Sequence, residues 1–284
     1  MALTGSNPTP PRGECPRIPA SFSVLGASNV WLALSDILGH LAVRFKDDAL
    51  VARVAHGPGR SYGLEAGLGA LKFPALSTCG LLDAPTRPDA AAPTGRSYAL
   101  LTDIGNDVGY GVEPRQILTW VRSTVTRLRD LGAKVAITSP PVESVEALPG
   151  WRFALLRRLF FPFRRLTKSI ACDQLRSVDQ GLRQLTADHD VALLKTSAQW
   201  YGHDAIHLRR ACRSEAFGVW IDTLLDRSND QRSGGAGRER PSQLTVSPSM
   251  LRLRLPLRSR RADTTPGAPR HVLSVAPSMT LHVH

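Results

Sequence analysis

The chain has 284 residues, 42% of them hydrophobic, enough for one sizeable α/β domain with appendages. No apolar run reaches the roughly 18 residues of a membrane span, and the opening MALTGSNPTPPRGECPRIPA lacks a secretory signal pattern, so a cytoplasmic location is expected. The net charge of +12 would suit nucleic acid, but nine Arg against three acidic residues between 229 and 284 supply half of it, and no nucleic-acid motif is present.

Residues 1–20 are Pro- and Gly-rich without periodicity and read as a flexible leader. From residue 21 short apolar runs alternate with helical stretches, the pattern of a parallel sheet wrapped by helices. A first strand is expected at 22–26 and a helix at 30–43, whose stripe is Val30, Leu34, Ile37, Leu38 and Leu41. The second strand, 50–55, runs into the glycine-rich stretch HGPGRSYG, from His56 to Gly63. Residues 83–96 form a Pro/Ala-rich loop. A third strand, 98–102, ends at Asp103-Ile104-Gly105-Asn106-Asp107. Pro114 opens the next helix, Ile117, Val121, Val125 and Leu128 form its stripe, and Gly132 follows its end. A fourth strand at 134–138, a helix at 168–187, a fifth strand at 191–195 and a last helix at 209–226 complete the domain, 21–228. Residues 229–284 are Arg/Pro/Ser-rich and expected to be disordered.

In an open parallel sheet ligands bind at the carboxyl ends of the strands. Ser28 follows strand one, Gly59 strand two, Asn106 strand three, and Asp204 and His207 strand five. Ser28, at the start of a helix, reads either as a nucleophile, activated once a base takes its proton, or as a helix cap. No G-x-S-x-G elbow surrounds it, since position 30 is Val. In Asp204-Ala-Ile-His207 the carboxylate can accept Nδ1–H of the ring and leave Nε2 facing the serine. The bland alternative is a surface Asp and a half-buried His. A metal site from His203, Asp204 and His207 lacks further clustered ligands. Cys15, Cys79, Cys172 and Cys212 lie far apart with no C-x-x-C, so neither a zinc ribbon nor a redox pair is expected. The amide of Asn106 and the backbone N–H groups of Ser28 and Gly59 are candidate oxyanion donors. The ordinary reading of Asn106 is a turn residue before a helix, and that of the glycine loop is a plain turn or a phosphate cradle, for which the G-x-x-x-x-G-K-[ST] pattern is missing.

The set Ser28, Gly59, Asn106 and Asp204/His207 resembles the SGNH hydrolases, the GDSL-like esterases, over residues 21–226. Two departures stand out. Ala27 replaces the acid that usually precedes the serine, and the glycine of the third block is shifted to Gly105. The second block aligns at Gly59, with Gly57 or Gly63 able to serve instead. The resemblance implies a three-layer α/β/α sandwich with a five-stranded parallel sheet, flavodoxin-like. It also implies serine ester hydrolysis with catalytic Ser28, Asp204 and His207, and an oxyanion hole of Ser28, Gly59 and Asn106. No cofactor or metal is called for, and the partner would be a small-molecule or lipid-like ester. Non-catalytic alternatives are an inactive binding protein of this fold, suggested by Ala27 and the shifted glycine, and a basic nucleic-acid-associated protein.

Residues 151–168, WRFALLRRLFFPFRRLTK, interleave aromatics with arginines. Three readings fit: a helix packed on the sheet with its arginines in water, a lid beside the site, or a peripheral contact with an anionic membrane. Pro162 breaks any long continuous helix.

Overall fold

The computed structural model describes residues 20–83, 96–162, 165–230, 260–261, 271–276 and 279–284. The leader, most of the 83–96 loop, Cys15, Phe163, Arg164 and the bulk of the tail lie outside the described residues.

Strand β1 (Ala20–Leu25) is buried at every position, as a central strand covered on both faces must be. The helix expected at 30–43 is two: α1 (Ser28–Leu32) and α2 (Leu34–Arg44), separated at Ala33, whose φ of −110° and ψ of 12° depart from helical values. Then come β2 (Leu50–Ala55), a loop with short 3₁₀ turns at Leu76–Thr78 and Gly80–Leu82, and β3 (Ser97–Leu101). Helix α3 (Asn106–Gly109) is one turn. Helix α4 (Pro114–Asp130) buries Ile117, Val121, Val125 and Leu128 as its periodicity requires. Each of these is worth about 1.5–3 kcal/mol of transfer free energy. Strand β4 (Ala133–Thr138) leads to the short α5 (Val142–Glu146), absent from the sequence reading, and to α6 (Gly150–Phe160), bounded by Pro149 and Pro162. Helix α7 (Lys168–His189) is capped by Thr167 Oγ1, which accepts from the N–H of Ile170 at 3.3 Å. Strand β5 (Ala192–Leu194) and α8 (Arg210–Asp230) follow.

The sheet order is β5-β4-β3-β1-β2, all parallel. One apolar core packs α4 and α7 against one face; the other packs α2 and α8 against the opposite face. This is a three-layer sandwich. The chain leaves β1 toward β2 and returns to β3 on the other side, so the switch point lies between β1 and β3. Ser28 and Asp103 follow those two strands.

Two expectations need correction. The parallel sheet has six strands rather than five, and part of the tail is ordered. Strands β6 (Arg260–Arg261), β7 (His271–Ala276) and β8 (Met279–Val283) extend the sheet beyond β2, with β8 parallel to β2 and the last pairs antiparallel. The physical reason lies in HVLSVA-PS-MTLHV: two short runs rich in apolar residues, the second with Met279, Leu281 and Val283 at alternate positions, separated by Pro-Ser, a hairpin pattern hidden by the surrounding Arg/Pro-rich composition. Met279 and Leu281 are buried, and the carbonyl of His284 accepts from the guanidinium of buried Arg60 at 2.9 Å. Replacing Leu281 by Ala should therefore lower the unfolding free energy by about 2–4 kcal/mol. Urea titration decides the point, since in a disordered tail the change would be near zero.

Candidate active site

Gly26 ends β1 where a side chain has no room: a Cβ there would lie 2.3 Å from Oγ1 of Thr102. The chain then turns into α1 with Ala27 as the flanking residue and no side-chain cap. Ser28 is therefore not a capping residue. Its Oγ lies 2.8 Å from Nε2 of His207, and Nδ1 of that ring lies 2.7 Å from Oδ2 of Asp204. Asp204 carries no proton to give at neutral pH, so Nδ1–H donates to the carboxylate and Nε2 accepts from the Ser28 hydroxyl. The imidazole is thus set to take the serine proton. Because α1 spans five residues, its dipole adds little at Ser28.

A tight loop presents the other two groups. Tyr201 and Leu208 form an antiparallel bridge, the N–H of Gly202 donates to the carbonyl of His207 at 2.7 Å, and Ala205 takes a left-handed φ of 64°. Oδ1 of Asp204 accepts from the N–H groups of His207 (2.9 Å) and Ile206 (3.2 Å). Burial pushes the Asp204 carboxyl up, but its bonds to the ring and backbone of His207 outweigh this and hold it below the ordinary value. Both ring nitrogens of His207 are engaged and His203 is exposed. Among the described residues no group of three or more His, Cys, Asp or Glu side chains could hold a metal ion.

Asn29 and Asp103 were missed by the sequence reading. Oδ2 of Asp103 accepts from the N–H groups of Ala27 (2.7 Å) and Asn29 (3.2 Å), one on each side of Ser28. Oδ1 accepts from Nδ2 of Asn29 at 2.7 Å. That amide also donates to the carbonyl of Ile206 (2.9 Å), while Oδ1 of Asn29 accepts from the N–H of Leu208 (2.8 Å), so it grips both neighbours of His207. A carboxylate, that of Asp103, thus lies against the backbone at position 27, and Asp103 is itself in the left-handed region at φ 62°. Burial raises the pKa of Asp103, against the opposing pull of the Asn29 amide and the Ala27 N–H.

Of the expected oxyanion donors, Ser28 and Asn106 line one cavity of ≈ 100 Å³, whereas Gly57, Gly59 and Gly63 are not among its lining residues. Asn106 Nδ2 donates to the carbonyl of Arg60 at 3.2 Å, which occupies one of its two hydrogens. Gly59 holds a φ of 70°, and its carbonyl accepts from the Tyr110 hydroxyl. The N–H of Gly63 is committed to Oγ of Ser61 at 3.1 Å. Asp107 anchors this loop by accepting from the Ser61 hydroxyl and the Tyr62 N–H, and burial pushes its carboxyl up to about 6.

The cavity wall is mainly apolar: Ile104, Val108, Val145, Phe153, Leu156 and Leu175 line it. The basic aromatic segment supplies part of this wall from α6. The Phe160 ring meets the His207 imidazole edge-on at 5.7 Å, and Phe161 packs edge-on against Tyr110 at 4.9 Å.

No family model and no curated protein sequence matches the chain. Solved structures do. A carbohydrate acetylesterase from Sinorhizobium meliloti is 15% identical with a TM-score of 0.51, over 73% of this chain and 99% of that one. An aryl esterase from M. smegmatis is 14% identical with a TM-score of 0.50, again over 73% and 99%. The chain has the fold of the SGNH (GDSL-type) hydrolases, a fold that esterases use.

Proposed function

We propose that the protein hydrolyses carboxylic esters through Ser28, His207 and Asp204. The observation that carries this reading is the hydrogen-bonded chain Asp204–His207–Ser28 opening onto an apolar cavity. Ser28 Oγ attacks the ester carbonyl carbon as Nε2 of His207 takes its proton. The negative charge on the tetrahedral oxygen is met by the N–H of Ser28 and the second hydrogen of the Asn106 amide; Gly59, which does not line the cavity, is left out of the hole. The intermediate collapses, the C–O bond to the alcohol breaks, and the imidazolium protonates the departing oxygen. Water, deprotonated by the same imidazole, then releases the acid and restores Ser28. Asp204 holds the ring in the productive tautomer and stabilises its charged form. No cofactor or metal enters these steps. The inactive reading rests on Ala27 and the shifted Gly105; against the first, the Asp103 carboxylate binds the backbone on both sides of Ser28, which supports the hydrolase reading. The apolar wall favours small or lipid-like acyl groups.

The test is labelling with a fluorophosphonate probe together with hydrolysis of a short p-nitrophenyl ester. A label on Ser28, lost in Ser28→Ala, supports the proposal, and a folded wild type that neither labels nor hydrolyses refutes it. Asp204→Asn should lower kcat about a thousandfold or more with KM little changed, because the ring loses both its orientation and its counter-charge. Steady-state kinetics on the same ester check this.

A further inference from the structure

Helix α6 presents two apolar faces. Its inner residues Phe153, Leu156 and Phe160 line the cavity. Its outer face exposes Trp151 (71%), Leu155 (60%) and Leu159 (66%), spaced at i, i+4 and i+8 and hence on one side of the helix. Scattered apolar residues are ordinary on a surface, but a stripe is not. No residue of α6 is fully buried, so the helix lies on the domain rather than in it.

Along α6 itself the charge has one sign. From Ala147 to Cys172 the chain carries no Asp or Glu, and Arg152, Arg158 and Arg165 flank the exposed side chains. An apolar ridge edged only by arginines matches the interfacial region of an anionic bilayer, with the aromatic and aliphatic groups among the acyl chains and the guanidiniums at the headgroups. A soluble protein partner of similar apolarity would leave that uniform positive rim without a reason. The same helix walls the cavity and sets Phe160 against His207, so a surface under α6 lies beside the site.

We propose that α6 docks on an anionic phospholipid surface through Trp151, Leu155 and Leu159, held by Arg152, Arg158 and Arg165, so that acyl esters pass from that surface into the cavity. The delivery of substrate rests on the hydrolase reading; the docking does not.

Vesicle co-sedimentation of the full chain tests it, comparing phosphatidylcholine alone with phosphatidylcholine containing phosphatidylglycerol. Binding should be at least tenfold tighter to the anionic vesicles and should weaken as salt is raised. Trp151→Ser/Leu155→Ser/Leu159→Ser should lose about tenfold or more of this binding, while hydrolysis of a dissolved short ester stays within about twofold. Arg152→Glu/Arg158→Glu provides a second variant in which the apolar stripe is intact, and it should lose binding to anionic vesicles only. Circular dichroism establishes that each variant is folded. Ser28→Ala should bind vesicles as the wild type does. If it does so while the wild type hydrolyses no ester, the docking stands and the hydrolase reading falls. A folded wild type that ignores vesicles overturns the proposal. So does a serine triple variant that still binds fully, because the basic segment beyond residue 230 would then be responsible. Competition by duplex DNA that leaves no dependence on the apolar residues would assign the arginines to a polyanion and overturn it equally.

Discussion

Ser28→Ala should reduce kcat/KM for a p-nitrophenyl ester at least about a thousandfold, a loss of about 4 kcal/mol of transition-state stabilisation. The stability of the same variant should change by less than about 1 kcal/mol. The two expectations separate because of what the hydroxyl does and does not touch. Its oxygen meets Nε2 of His207 at 2.8 Å, and it caps no helix, so its removal leaves no backbone donor stranded. Steady-state kinetics and urea denaturation measure both quantities. Unchanged turnover would remove Ser28 from the reaction, and a large loss of stability would mean that the hydroxyl is structural.

Asp103→Ala should lower kcat by about a hundredfold or more and destabilise the protein by about 2–4 kcal/mol. The carboxylate accepts from two backbone N–H groups and from the Asn29 amide, and these bonds set Ser28 while Asn29 holds the residues flanking His207. Stranding the donors costs about 1–3 kcal/mol each, partly offset where water enters from the cavity. Alanine at a φ of 62° adds about 1 kcal/mol of strain. Asp103→Asn keeps the shape, the tolerance of that φ and one acceptor oxygen, so it should recover most of the stability. It lacks the negative charge that favours a protonated imidazole. The acid limb of its kcat/KM profile should therefore lie at lower pH than that of the wild type, a change that a purely structural role would not produce. Its relative stability should also depend on pH. The folded pKa of Asp103 is raised, so wild-type folding retains a proton that the unfolded chain releases. Wild-type stability from this group falls as pH rises from its ordinary value through the raised one, while the Asn variant has no such dependence. Urea titrations across acidic pH read the difference. Wild-type kcat and profile in both variants would refute the clamp.

Much was legible because the information is local. Each of the first four strands is a short apolar run followed within two residues by Gly, Asp or Pro, and the fifth is marked by its apolar run alone. Each polar candidate follows such a run, so the rule that ligands gather at the carboxyl edge brought Ser28, Asn106, Asp204 and His207 together before any coordinates. The stripe of α4 and its Pro114 start are likewise properties of adjacent residues. What the sequence by itself determined was therefore the layered α/β design and the residues that face one edge.

The tertiary structure decided what depends on pairs distant along the chain. The amide of Asn29 lies against Ile206 and Leu208, far along the chain, because β1 and the loop after β5 end at the same edge. Asp103 is only the residue that ends the third strand until β3 is placed beside β1. The hairpin of β7 and β8 carries a weak local pattern, and its pairing with β2 supplies the burial that a short alternating segment cannot provide alone. Hydrogen bonds and edge pairing of this kind are set by strand order, a property of the assembled sheet rather than of any stretch of sequence.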